Sequence, residues 1–127
     1  MPPTTEQNRA SHAYESIKHA LLLKPEDRNH YGIHAKKMPV RIISAGLGQA
    51  LAFVLDKKNA NELVKDLSDW VLNKTAKYNP TGRPDQKLLI ENIINGDAEK
   101  LRYYTHEALA YLQWLNRFAS AQSLKVE

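Results

Sequence analysis

The sequence predicts an all-α chain, a compact bundle of about five or six helices. Three observations lead there. Runs of β-branched residues with period-two alternation are missing. Apolar residues recur at three- and four-residue spacing along most of the chain. Punctuation such as Lys24-Pro25 and Asn95-Gly96-Asp97 divides those stretches into helical lengths. The 127 residues suit a single domain around one core. Fraying is expected only at the ends, over about residues 1–4 and 124–127.

The first helix starts after Thr4 or Thr5, either of which can cap it, and runs to about Leu23. Ala10, Tyr14, Ile17 and Leu21 give its apolar stripe. Lys24 should end it, because the residue before a proline avoids the helical region. The stretch from 26 to 37 is ambiguous: Pro25 suits a first helical turn, whereas Gly32 weakens a helix. Pro39 then starts or kinks the next element, roughly 38 to 57.

That element raises a question of its own. On a helical wheel Val40, Ile43, Leu47, Ala50, Leu51, Val54 and Leu55 form a broad apolar face, and Ile42 and Phe53 a second one. A helix apolar on two sides is buried between neighbours. Gly46 and Gly48 lie inside it, at a cost of roughly 1.6–2 kcal/mol relative to alanine. Close approach of another backbone would offset that cost. Ala45, Gly48 and Ala52 would line the shallow groove, with Arg41 one turn earlier. Another helix of this chain, a partner or a nucleic-acid backbone would fill it.

A further helix follows from about Asn61 to Lys74, burying Leu63, Leu67, Trp70 and Val71. NPTGRP, 79 to 84, is the clearest loop. A short helix from about Asp85 to Ile94 stops at Asn95-Gly96. Asp97 can cap the last and longest helix, which reaches about Ser123. Leu101, Tyr104, Ala108, Tyr111, Leu115 and Phe118 set its register, and Leu112 and Ala119 widen the stripe. Tyr103 and Trp114 fall on a neighbouring flank, where they either pack under another helix or anchor a partner.

The net charge is +4, and it is unevenly spread. Residues 28 to 58 hold six basic side chains against one acid, Asp56, so the remainder is slightly acidic. A second acid-free run places Lys74, Lys77 and Arg83 around Tyr78. Concentrated positive charge points to an anionic partner. The same charges also fit a solvated surface with ordinary helix ends.

Several chemistries find no support. Without cysteine there are no disulfides and no thiolate metal ligands. The longest apolar stretch, Ile42 to Leu55, is too short and too interrupted to span a bilayer. No secretory signal is visible, so a soluble cytoplasmic protein is expected. Gly46-Leu47-Gly48 lacks the strand, third glycine and lysine-serine ending of a phosphate loop. His30 and His34 have the i, i+4 spacing of two metal ligands, but no acid completes a site on that face. No nucleophile, base and orienting residue fall into a recognisable set. Neither an enzyme nor a bound cofactor is expected.

Several segments in order resemble a known family. They are Tyr31, Ala35-Lys36-Lys37-Met38-Pro39, Ile43, the run Gly46 to Phe53, and Tyr111-Leu112-Gln113-Trp114-Leu115-Asn116-Arg117-Phe118-Ala119. Together they resemble the small helical subunit of the type III-B CRISPR effector, the Cmr RAMP complex, over nearly the whole chain. The resemblance implies a non-catalytic assembly subunit. Such subunits stack in a short filament beside the backbone subunits that hold the guide RNA. Target RNA pairs with the guide in the channel between. Partners would thus be the backbone and large subunits, further copies of this chain, and guide and target RNA. RNA cutting would belong to the backbone subunits.

Lysine and arginine suit that role, since they neutralise phosphates while base pairing reads sequence. Lys36, Lys37, Arg41, Lys57 and Lys58 are the candidate RNA contacts. Gly46, Gly48, Ala52, Trp114 and Arg117 are candidates for partner binding or close helix packing. Two rival readings are a standalone nucleic-acid-binding helical protein and a helical-bundle enzyme. The first lacks a polar recognition helix. The second lacks the inward Glu-x-x-His pairs of metal bundles.

Overall fold

The computed structural model describes residues 2–57, 60–74 and 88–122. They form six α-helices and one π-helical segment, with no strand among the described residues. The all-α expectation holds.

Helix α1 is Thr5–Ala20, and Thr4 closes a capping box with Gln7. Its buried face is Arg9, Ala13, Ser16, Ile17 and Ala20. That face is rotated from the expected stripe of Ala10, Tyr14, Ile17 and Leu21, and Tyr14 is exposed. Two polar residues turn inward because helix α6 supplies partners for them, which apolar spacing cannot reveal.

Helix α2 is Pro25–Ala45. Pro25 starts it and Glu26 and Asp27 occupy its positive first turn. It resolves the ambiguity over residues 26 to 37, and it continues through Pro39. Proline has no N–H for the carbonyl four residues back. That carbonyl, on Ala35, accepts instead from the Asn116 side-chain amide at 2.9 Å.

The expected helix over 38 to 57 is broken at Gly46, whose φ of 91° and ψ of 157° end α2 and start α3, Leu47–Leu55. Gly46 is thus a hinge between helices, and among the described residues a Cβ there would meet nothing within 4 Å. Among the described residues a Cβ on Gly48 would meet only Ile93 Cγ2, at an ordinary 3.5 Å. Among the described residues no backbone approaches either glycine closely enough to require it. Residues before and after the break do not share one wheel. Leu47, Ala50, Leu51 and Val54 are buried, whereas Val40 is 68% and Ile43 75% exposed.

Helix α4, Asn61–Ser68, runs into a π-helical segment, Asp69–Lys74. Leu63, Leu67, Trp70 and Val71 are buried as expected, and Val64, Ser68 and Leu72 join them. The NPTGRP loop and the expected helix start at Asp85 lie outside the described residues, as do 124–127. Helix α5 is Leu88–Asn95. Helix α6, Ala98–Ala121, is capped by Asp97, which accepts from the Lys100 N–H at 2.9 Å. Tyr104, Ala108, Tyr111 and Leu115 face the core in the expected register, whereas Leu101, expected in the same stripe, is exposed in the first turn. Helices α1 and α2 both pack on α6, and the shorter helices close the remaining side.

Candidate functional site

His30, His34, Lys37 and Arg41 follow one another at intervals of four, three and four residues. On α2 that spacing stacks them along one face. Lys36 stands beside the stripe, and both lysines are exposed. The bend at Gly46 folds α3 back against α2. Phe53, on α3, thereby reaches Arg41: the guanidinium lies 4.5 Å from the ring centre. Lys57, just past the end of α3, places its ammonium 4.4 Å from the same ring. The ring is 44% exposed, so the expectation of a second buried face through Phe53 is corrected. The aromatic quadrupole attracts both cations.

Among the described residues, no carboxylate lies within ion-pair distance of Lys36, Lys37, Arg41 or Lys57. Among the described residues nothing neutralises this excess of positive charge. Its effect registers on His34, which is buried. The Arg41 guanidinium donates to its Nδ1 at 3.2 Å. Burial lowers the His34 pKa, and Arg41, His30, Lys37 and Lys57 lower it further. Lys58 lies outside the described residues, as do Lys77, Tyr78, Arg83 and the side chain of Lys74.

Of the residues expected at the basic face, the fold brings Arg41 and Lys57 onto one ring and leaves Lys36 and Lys37 in solvent beside them. Sequence reading misses His30, His34 and Phe53 as members of this face. The histidines share the helical spacing of Lys37 and Arg41, but their own i, i+4 spacing reads as a pair of metal ligands. Phe53 cannot be placed without the bend at Gly46.

The other candidates separate. Gly46, Gly48 and Ala52 sit around the bend, with Gly46 and Ala52 exposed. Trp114 packs inside the chain: it stacks on Phe118 with ring centres 5.6 Å apart and donates to Glu6 at 2.8 Å. Arg117 is exposed and lines a groove of about 680 Å³ between α2 and α6 with Pro39, Ile43, Leu109 and Gln113.

A polar network lies between α1, the π segment and α6. Arg9 donates to both carboxylate oxygens of Glu107, at 3.1 and 3.0 Å, and Trp70 donates to the same carboxylate at 3.0 Å. His12 bridges Asp69 and the Tyr111 hydroxyl, each at 2.7 Å, and Ser16 pairs with that hydroxyl at 2.7 Å. Serine, histidine and aspartate occur together here, yet Ser16 is buried and faces Tyr111. A nucleophile must be within reach of both its base and a substrate, and this serine is turned into the core. Every member has a structural partner. Among the described residues no group of three histidine or acidic side chains is arranged to hold a metal ion.

Comparison with known proteins agrees with this architecture. The model of the CRISPR-associated protein family Cas_Cmr5 matches residues 5–122. The CRISPR system Cmr subunit Cmr5 of Thermus thermophilus is 37% identical over 121 residues, covering 93% of this chain and 95% of that one. The crystal structure of a CRISPR-associated Cmr5 family protein, also from Thermus thermophilus, superposes with a TM-score of 0.78 at 34% identity, covering 94% of this chain and 97% of the other. With the whole helical body matched in sequence and in shape, this chain belongs to the CRISPR-associated Cmr5 family.

Proposed function

We propose that this chain is a non-catalytic structural subunit of a type III-B Cmr effector. It stacks beside the guide-bearing backbone subunits and further copies of itself in the cytoplasm, and presents its basic face to target RNA. One observation carries the RNA reading: Arg41 and Lys57 meet on the Phe53 ring across the α2–α3 bend, Lys36 and Lys37 are exposed earlier on α2, and none of the four has a carboxylate partner among the described residues. Such a face attracts phosphates and reads no bases, which suits a complex whose guide supplies sequence. The groove with exposed Ile43 and Arg117 is the face for a neighbouring subunit. Among the described residues no helix is long and apolar enough to cross a membrane. The non-catalytic part of the reading draws support from the Ser16, His12 and Asp69 network, whose members are engaged with one another and with Tyr111.

The test is a reconstituted complex carrying Lys36→Glu, Lys37→Glu and Arg41→Glu together, with assembly checked by size. Weakened target-RNA capture with intact assembly is expected. Failed assembly with RNA affinity retained would move these residues to a protein interface. A standalone nucleic-acid-binding protein would instead bind RNA equally well without the other subunits. Each copy offers only a few phosphate contacts, so a single copy binds RNA weakly and linked copies bind it far more tightly.

A further inference from the structure

We infer that the cluster of His34, Arg41, Phe53 and Lys57 is a phosphodiester site whose occupation is linked to protonation of His34. The inference rests on the reading of this face as the one that meets RNA.

Arginine has only donors. At 3.2 Å from Arg41 Nη1, His34 Nδ1 must therefore be the acceptor, which makes the ring neutral with its hydrogen on Nε2. A proton on Nδ1 would set two donors and two positive charges against each other. Among the described residues nothing nearby relieves that conflict. On α2 itself, the His30 ring stacks at 6.3 Å, and Lys37 follows one turn later. From the end of α3 comes Lys57, over Phe53. From α4, Asp66 is engaged one turn earlier, accepting from the Tyr31 hydroxyl at 2.6 Å. From α6, Asn116 reaches only the Ala35 carbonyl, while His106 and Arg117 line the groove beside Pro39 and Ile43. The free protein thus holds His34 neutral by geometry and by charge.

A phosphodiester changes both terms. It neutralises Arg41 and Lys57, which share one ring within 4.5 Å. It also offers the guanidinium a stronger acceptor than an imidazole lone pair. Nδ1 is then free to take a proton beside a negative charge instead of a positive one. RNA raises the His34 pKa, and by reciprocity acid pH tightens RNA binding. The sign follows from the difference in bound protons: the occupied state holds the extra proton, so affinity rises as pH falls.

The experiment follows the His34 ring by NMR in the intact chain, with and without single-stranded oligouridylate at low salt, where phosphate contacts are strongest. RNA should raise the pH at which His34 titrates. RNA affinity should rise roughly three- to tenfold between about pH 8 and about pH 5.5. In Arg41→Gln, His34 should titrate at higher pH without RNA, and RNA should move it little. If RNA shifts the Arg41 and Lys57 side-chain signals while His34 titrates unchanged, the linkage falls and the RNA reading stands. If Arg41 and Lys57 do not respond to RNA, the RNA reading falls and the linkage with it. A response to an acidic peptide such as polyglutamate, and none to RNA, would assign the cluster to a protein partner and overturn the proposal.

Discussion

The Asn116 side chain on α6 donates 2.9 Å to the Ala35 carbonyl on α2, the one acceptor that Pro39 leaves without its helical N–H. Pro39 can therefore sit inside a 21-residue helix without ending it. Ala35 and Asn116, 81 residues apart, thereby join the segment around Met38-Pro39 and the segment around Asn116-Arg117 into a single structural feature.

Asn116→Leu should leave that carbonyl unsatisfied and destabilise the chain by about 1–3 kcal/mol. Pro39→Ala restores an N–H within helical reach. In that background the cost of Asn116→Leu should shrink. Denaturant unfolding of the four proteins measures the coupling. Equal cost in both backgrounds would separate the two residues.

The two glycines should respond in opposite directions. Gly46 occupies a backbone region open almost only to glycine, so Gly46→Ala should cost about 1–3 kcal/mol. Gly48 lies inside α3 with ordinary space beside it, so Gly48→Ala should be neutral or stabilise by up to about 1 kcal/mol. Thermal unfolding of each variant decides. A destabilised Gly48→Ala would restore close packing at that position.

This pair also shows what sequence makes legible. Element positions, the helical stretch over 61–74 and the register of α6 can be read from spacing, because each depends on local pattern. The bend at Gly46 cannot. A glycine that packs and a glycine that turns look alike in sequence, and only the φ of 91° separates them. That one bend decides the basic face, since it exposes Ile43 and brings Phe53 and Lys57 to Arg41. The inward polar residues Arg9, Ser16 and Glu107 are equally hidden, because Arg9 meets Glu107 98 residues away and Ser16 meets Tyr111 95 residues away.

Asp66 gives a pH dependence with a definite sign. Burial pushes its carboxyl from 3.8 up to about 6, against the opposing hydrogen bond from Tyr31. The folded value lies above the unfolded one. Stability from this group is therefore fully present below about pH 3.8 and is lost as pH rises through about 6. Asp66→Asn keeps an acceptor for Tyr31 and removes the buried charge. It should stabilise the chain by about 1–3 kcal/mol above about pH 7 and by little in acid. A gain that does not depend on pH would show that charge is not its source.

The most direct measurement is the salt dependence of target-RNA binding by the assembled complex, with this subunit wild type or carrying Arg41→Gln and Lys57→Gln. If these side chains neutralise phosphates, affinity should fall by the same factor for every target sequence. The slope of log affinity against log salt should flatten by about 0.7–0.9 for each phosphate that is no longer neutralised. An unchanged affinity and slope in a complex of normal size would contradict an RNA-facing role for the α2–α3 bend.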